Sequence, residues 1–258
     1  MDEENNSTVG TLIYYEKAKT FVVELEETLD EWSAPLLFMP FVQKKIFTIP
    51  RNISLLWVQE RIIPANRQNI SSILTNHQMQ QYDEMKFLEI SEGRCSQDHL
   101  YVRQINSMPR YVEERMKHNL VDCIALANHN LLCIFQDHMI KKVDLPSLEY
   151  DGIDKILKND PLYDSCSCTV GGYAATFYDS IDIPALLLYQ HGQVIPLHIE
   201  DLYAFVQKNV IDSSEASDIL GCSRQNVHYL TQKKIISPIK KGNKTSLYLK
   251  GEIQKHTW

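Results

Sequence analysis

Hydrophobic and polar positions divide the chain into segments of different period. In residues 11 to 110, Leu12-Ile13-Tyr14-Tyr15 and Phe21-Val22-Val23-Glu24-Leu25 are short apolar runs that predict strands. A helix is expected to begin at Trp57 and lead into Arg61-Ile62-Ile63-Pro64. Another runs from Asn69 to Asn76 with Ile70, Ile73 and Leu74 on one face, and a third covers Asp83 to Ile90. Past Pro109, the charged stretch to Lys117 predicts a linking helix. From Val121 the runs shorten. Asp122 to Ala127, Leu131 to Phe135 and Met139 to Asp144 predict three strands around the turn Asn128-His129-Asn130. Ile153, Ile156 and Leu157 give one face of a helix over 152 to 158, which Asn159-Asp160-Pro161 should stop. Tyr163 to Val170 and Tyr173 to Tyr178 flank Gly171-Gly172 as a second hairpin, and Ile183-Pro184 opens a helix. Leu197 to Lys208 is a connector helix, with Ile199, Leu202, Phe205 and Val206 at helical spacing.

The last stretch carries the most specific pattern. Ser213 and Ser214 are the expected N-cap of a helix with Ala216, Ile219 and Leu220 on its apolar stripe. Gly221 should end it, since glycine accepts positive φ without a Cβ clash. Ser223 is a second N-cap, and the next helix should run from Arg224 to about Lys234. Its apolar face is Val227, Leu230 and Thr231, with the stem of Lys234 alongside. At 3.6 residues per turn the opposite face holds Gln225, Tyr229 and Gln232, with Asn226 and His228 on its flanks. Gln and Asn suit adenine bidentately and Arg suits guanine or phosphate. The N-terminal end of such a helix enters the major groove, which puts Ser223, Arg224 and Gln225 first. Residues 236 to 241 then lead into Gly242-Asn243 and a second run from Lys244 to Leu249, a hairpin signal with Lys240, Lys241 and Lys244 around its turn. Lys250-Gly251-Glu252-Ile253 closes the module.

These residues, Ser213-Ser214-Glu215-Ala216-Ser217-x-Ile219-Leu220-Gly221 followed by Ser223-Arg224-Gln225-Asn226-Val227 and a basic hairpin, resemble the winged helix-turn-helix of the MerR and excisionase group over roughly the last 45 residues. The resemblance implies double-stranded DNA as partner. The central stretch is similar to a small bacterial domain of unknown function built from a β-hairpin, a helix and a second hairpin. It carries Leu131-x-x-x-Phe135, Val143-Asp144, Gly171-Gly172 and the run Ser180 to Tyr189, with Phe177 where that family often has Trp. Members are sometimes fused to helix-turn-helix modules. The spacing Trp57…Arg61-x-Ile-Pro64-x-x-Arg67, with Gln97-Asp98-x-x-Tyr101, resembles the segment upstream of the kinase domain in HipA-type toxin kinases. No Gly-rich phosphate loop or metal-binding Asp motif follows, so kinase activity does not carry over, and Arg61 or Arg67 is expected to pair with Asp98.

Charge sharpens the picture. The 258-residue chain has a formal net charge of −7. Yet residues 213 to 258 hold eight Lys or Arg against three acids, a net +5 that leaves −12 on the rest. A basic module on an acidic body is the footprint of a protein that meets nucleic acid through one part only. The six cysteines (Cys95, Cys123, Cys133, Cys166, Cys168 and Cys222) form no C-x-x-C pair, and His191 and His198 stand seven apart without partners. No metal and no cofactor are expected, and the cysteines read as small thiols in a reducing cytoplasm. The aspartates from Asp144 to Asp182 fall at turns, where Asp bonds to backbone. With no nucleophile–base pair in view, the chain is not expected to be an enzyme. Met1-Asp2-Glu3-Glu4 is unlike a secretory leader, and the apolar run from Ala34 is broken by Pro35 and Pro40, so a cytoplasmic protein without membrane contact is expected.

The resulting expectation is an α+β protein. It has an N-terminal unit over 1–110, a central domain over 118–192, a connector helix over 193–211 and the helix-turn-helix module over 212–258. Its expected role is sequence-specific DNA binding as a transcriptional regulator of a bacterial or mobile-element locus. It would act as a homodimer, with a protein partner reaching it through the N-terminal or central unit. The competing readings are an excisionase-like DNA-bending factor and a non-catalytic adaptor of a toxin-related system.

Overall fold

A computed structural model describes residues 1–2, 7–194, 199–242 and 245–258, without the side chains at 199, 200 and 202. The protein is α+β, with helices and antiparallel sheets. The chain divides into two compact units, Met1–Glu113 and Glu114–Trp258. Among the described residues no helix is long and apolar enough to cross a membrane.

In the first unit, the two expected strands, β1 (Gly10–Tyr15) and β2 (Thr20–Leu25), pair as an antiparallel hairpin, with Gly10 opposite Leu25 and Tyr15 opposite Thr20. After α1 (Met39–Gln43), the two-residue β3 (Thr48–Ile49) adds to the far side of β2. The helix expected to begin at Trp57 starts earlier, as α2 (Arg51–Gln59). Pro50 holds the N-cap position at φ −52° and turns the chain out of β3, so Trp57 falls in the last turn. The buried Ser54 hydroxyl accepts from Val23 N–H at 3.0 Å and donates to the Ile49 carbonyl at 3.1 Å, tying α2 to the sheet. Phe21, Val23, Leu25, Phe38, Ile49, Trp57, Val58 and Leu88 fill this core. Helices α3 (Ile70–Asn76), α4 (Glu84–Ser91) and α5 (Arg110–Met116) follow the expected segments. Arg61 does pair with Asp98, and its guanidinium lies 3.9 Å over the Trp57 ring. Arg67 stays exposed.

The second unit opens with β4 (Leu120–Ala125), β5 (Asn130–Phe135) and β6 (Ile140–Asp144), an antiparallel meander. Helix α6 (Ile153–Leu157) ends as expected, but Asn159-Asp160-Pro161 also starts something. Asn159 caps α7 (Asp160–Asp164) by accepting from Leu162 N–H at 3.1 Å, with Pro161 in the first turn. The strand expected over 163 to 170 therefore shrinks to β7 (Ser167–Cys168). It pairs with β8 (Ala174–Phe177), which pairs in turn with β9 (Ile181–Pro184). Gly172 is required between them: at φ +71°, a Cβ there would lie 1.9 Å from the Leu120 carbonyl. Next come α8 (Ala185–His191) and β10 (Gln193–Val194), the latter on the edge of the four-stranded sheet in order β10-β6-β5-β4.

The connector is α9 (Ile199–Asn209). Of the four positions read as its apolar face, Phe205 packs with Ala204 on Ile124, Leu126 and Leu132 of the sheet, whereas Val206 is 44% exposed. The side chains of Ile199 and Leu202 lie outside the described set. The chain ends in β11 (Val210–Asp212), α10 (Ser213–Leu220), α11 (Arg224–Gln232), β12 (Lys240–Lys241), β13 (Ser246–Leu249) and α12 (Lys250–Gln254).

Candidate nucleic-acid interface

Helices α10 and α11 are joined by Gly221-Cys222-Ser223. Gly221 adopts φ +59° as the left-handed cap of α10, as its lack of a Cβ allows. The start of α10 differs from expectation. Its N-cap is Asp212, not Ser213 or Ser214. The Asp212 carboxylate accepts from Ser214 N–H at 2.7 Å and Glu215 N–H at 3.0 Å, and Glu215 accepts from Asp212 N–H at 2.9 Å. This reciprocal box satisfies the first-turn amides better than a lone serine would. The two backbone hydrogen bonds hold the Asp212 carboxyl below the usual carboxylate range. Ser223 caps α11 as expected, accepting from Asn226 N–H at 3.3 Å.

Ile211, Ala216, Val227, Ile236, Tyr248 and Ile253 form the core beneath the two helices. Val227 is buried, and Leu230 and Thr231 are half-buried on the same face. Thr231 Oγ1 lies 3.0 Å from the Tyr248 hydroxyl, fastening α11 to β13. Lys234 does not continue this face. The helix closes at Lys233, and Lys234 takes φ +57° in the exit turn.

The opposite face of α11 is open. Ser223, Arg224, Gln225, Asn226, His228, Tyr229 and Gln232 are all exposed. Arg224 donates through Nη2 to the Ser214 hydroxyl, which holds its guanidinium at the corner where α10 and α11 begin. His228 Nε2 and Gln232 Nε2 are 3.0 Å apart, one turn of helix from each other. Gln225, Asn226 and Tyr229 project from the same helix, and Lys233 Nζ sits 5.7 Å over the Tyr229 ring. Lys233, the C-cap of α11, is a basic residue of this surface beyond those that the sequence pattern brings forward.

Residues 236 to 239 are not a strand: Ile236 turns into the core, and β12 begins at Lys240, just after Ile239 N–H donates to the Leu247 carbonyl at 2.8 Å. Lys240 opposes Leu247 and Lys241 opposes Ser246, both lysines exposed beside the two helices' module. Asn243 and Lys244 lie outside the described residues. The strand β11, which was read as part of the connector, pairs with β13 from the other side and gives the order β11-β13-β12. Ile211 is its one buried residue, too short a signal to show as alternation.

Chemically, this surface offers amide pairs, one fork-shaped cation, an imidazole and a phenol on one helix face, with point charges from a neighbouring strand. Among the described residues, no group of three or more His, Cys, Asp or Glu could hold a metal ion. No protein-family model, no curated protein and no solved structure matches the chain.

Proposed function

We propose that the protein binds double-stranded DNA in a sequence-specific way through α11 and the β12–β13 strands, and acts as a transcriptional regulator of the MerR and excisionase type. The carrying observation is the division of α11 into two faces. Val227, Leu230 and Thr231 hold it on its own core, while seven polar or aromatic side chains from Ser223 to Gln232 are exposed. That outer face carries amide and guanidinium groups of the kinds that bond to base edges and phosphates.

In this reading α11 lies in the major groove with its N-terminus leading. Gln225 and Asn226 present amides for adenine edges, and Arg224 reaches guanine or phosphate from its Ser214 anchor. Lys240 and Lys241 meet the backbone beside the groove. These phosphate contacts set register and supply most of the salt-dependent affinity, while α11 reads sequence. One such module buries little surface, so two copies on paired half-sites are the expected bound form. The acidic remainder of the chain keeps that body off the duplex.

The test is selection of bound fragments from random duplexes by the full-length protein, followed by titration at several salt concentrations. A recovered motif with two half-sites and a steep fall in affinity with salt supports the reading. Absence of salt-sensitive binding to any duplex at micromolar protein would overturn it. If a motif is recovered, bending of the bound fragment would place the protein with the accessory factors of recombination.

A further inference from the structure

Three of the six thiols meet in the interior of the second unit. Cys123 on β4 is 3% exposed. Its Sγ lies 3.4 Å from Cys166 Sγ and 3.6 Å from Cys168 Sγ. Cys166 and Cys168 are only partly buried as residues, less enclosed than Cys123. Cys133 stands directly across the β4–β5 ladder from Cys123 and is fully buried. The sequence separates these residues by up to 45 positions, and nothing in the proposed DNA surface uses them.

We propose that Cys123, Cys166 and Cys168 form an oxidation site in which Cys123 closes a reversible disulfide with Cys166 or Cys168. A disulfide needs its sulfurs about 2.05 Å apart. From 3.4 Å the approach is short enough for side-chain rotation at the two-residue strand β7 and the turn before it. Hydrogen peroxide, a small neutral two-electron oxidant, is the oxidant class the step requires. The Cys166 thiolate attacks one peroxide oxygen, the O–O bond breaks, and a sulfenic acid and hydroxide result. The Cys123 sulfur, giving up its proton, then attacks Cys166 Sγ. The S–O bond breaks and hydroxide leaves. With protons returned, two thiols and one peroxide become one disulfide and two waters. Cys168, on the other side of Cys123, can displace Cys166 by thiol–disulfide exchange.

The hydrogen bond from Cys123 favours the thiolate of Cys166, and burial opposes it, with the net result above an ordinary thiol. Cys123 and Cys168 are pushed higher still. The first step is therefore slow at neutral pH and accelerates as pH rises, since the thiolate is the nucleophile.

The test uses the full-length reduced protein, freed of reductant and exposed to hydrogen peroxide at pH 7 and pH 9, then alkylated and measured by intact mass and peptide mapping. The expected product has lost two hydrogen masses. It carries a Cys123 cross-link to Cys166 or Cys168, forms several-fold faster at pH 9 and reverts with dithiothreitol. Cys123→Ser should abolish the cross-link and leave Cys166 as a sulfenic acid that a dimedone probe traps. The double variant Cys166→Ser with Cys168→Ser, changed only at partly exposed positions, should leave Cys123 fully alkylatable after unfolding. Oxidation confined to Cys95 and Cys222, or a Cys123 bridge that forms only in denaturant, would overturn the proposal.

Discussion

Gly251 of α12 packs directly on the backbone of β4: a Cβ on it would stand 2.3 Å from the Val121 carbonyl oxygen and 3.4 Å from the Asp122 Cβ. The C-terminal module of α10–α12 and the four-stranded sheet therefore meet backbone to backbone at this point. Lys255 Nζ reaches Gln136 Oε1 at 3.2 Å one turn later, and Lys208 Nζ approaches the Ala125 carbonyl at 3.5 Å from α9. The module is seated, and its seat depends on the absence of one methyl group.

Gly251→Ala should accordingly push α12 off β4. The obstacle is a main-chain carbonyl that cannot rotate away, so an overpacking cost of about 1–3 kcal/mol is expected. Chemical denaturation should show the loss, and limited proteolysis should show faster cleavage between residues 195 and 212. An unchanged midpoint would mean that the helix relaxes freely.

Asp122 sits beside that contact and is 8% exposed. It accepts from Cys123 N–H at 2.9 Å, and the Asn209 amide, turned with its nitrogen toward the carboxylate, donates to it at 2.9 and 3.2 Å. Burial pushes its carboxyl up to about 6, against the hydrogen bonds from Cys123 and Gly251 and the nearby charge of Lys250. Between pH 4 and 6 the unfolded chain has lost this proton while the folded chain retains it. Stability from this group is therefore present at low pH and lost as pH rises through 6, by roughly 3 kcal/mol in all. Urea melts of wild type and Asp122→Asn from pH 4 to 7.5 should show the wild type losing ground steadily to the variant across that window. Parallel curves would show that Asp122 ionises normally.

The Asp212–Glu215 box makes a separate claim on the module. Asp212→Ala removes the acceptor for two amides, and about 1 kcal/mol of local stability should go with it. Amide hydrogen exchange at Ser214 and Glu215 should quicken several-fold, while Ser213→Ala, which removes no cap bond, leaves their exchange near that of the wild type.

On DNA, Gln225→Ala and Lys241→Ala should differ in kind. Gln225 is exposed on the leading end of α11, and its loss should cost about 1–3 kcal/mol on a selected site while relaxing preference at one base pair. Lys241→Ala should weaken all duplexes alike and lower the salt slope by about 1. Fluorescence anisotropy on matched and scrambled duplexes distinguishes the two. Equal losses on both sequences for Gln225→Ala would remove it from the reading face.

Much of this was legible because it is local. Gly221 and Ser223 mark the turn between two helices by backbone chemistry that needs no neighbours, and Val227, Leu230 and Thr231 show their inward face by spacing alone. The hairpin at Tyr15 to Thr20 is equally local. Asp212 was passed over because three adjacent residues can all cap a helix, and only the return bond from Glu215 singles one out. Trp57 marks the helix in the sequence pattern, while the φ of Pro50 seven residues earlier does the initiating.

The sequence by itself determined helices such as α4, α10 and α11 and the polar outer face of α11, since each depends on residues within a turn or two of one another, and the charge imbalance between its last 46 residues and the rest, which is a matter of composition. Only the tertiary structure decided that β11 joins β13, that Gly251 abuts Val121, that Arg224 leans on Ser214, and that Cys123, Cys166 and Cys168 converge. These are contacts across 10 to 130 residues of chain. No periodicity records them, because burial selects for size and polarity at each position and is blind to which distant segment supplies the neighbour.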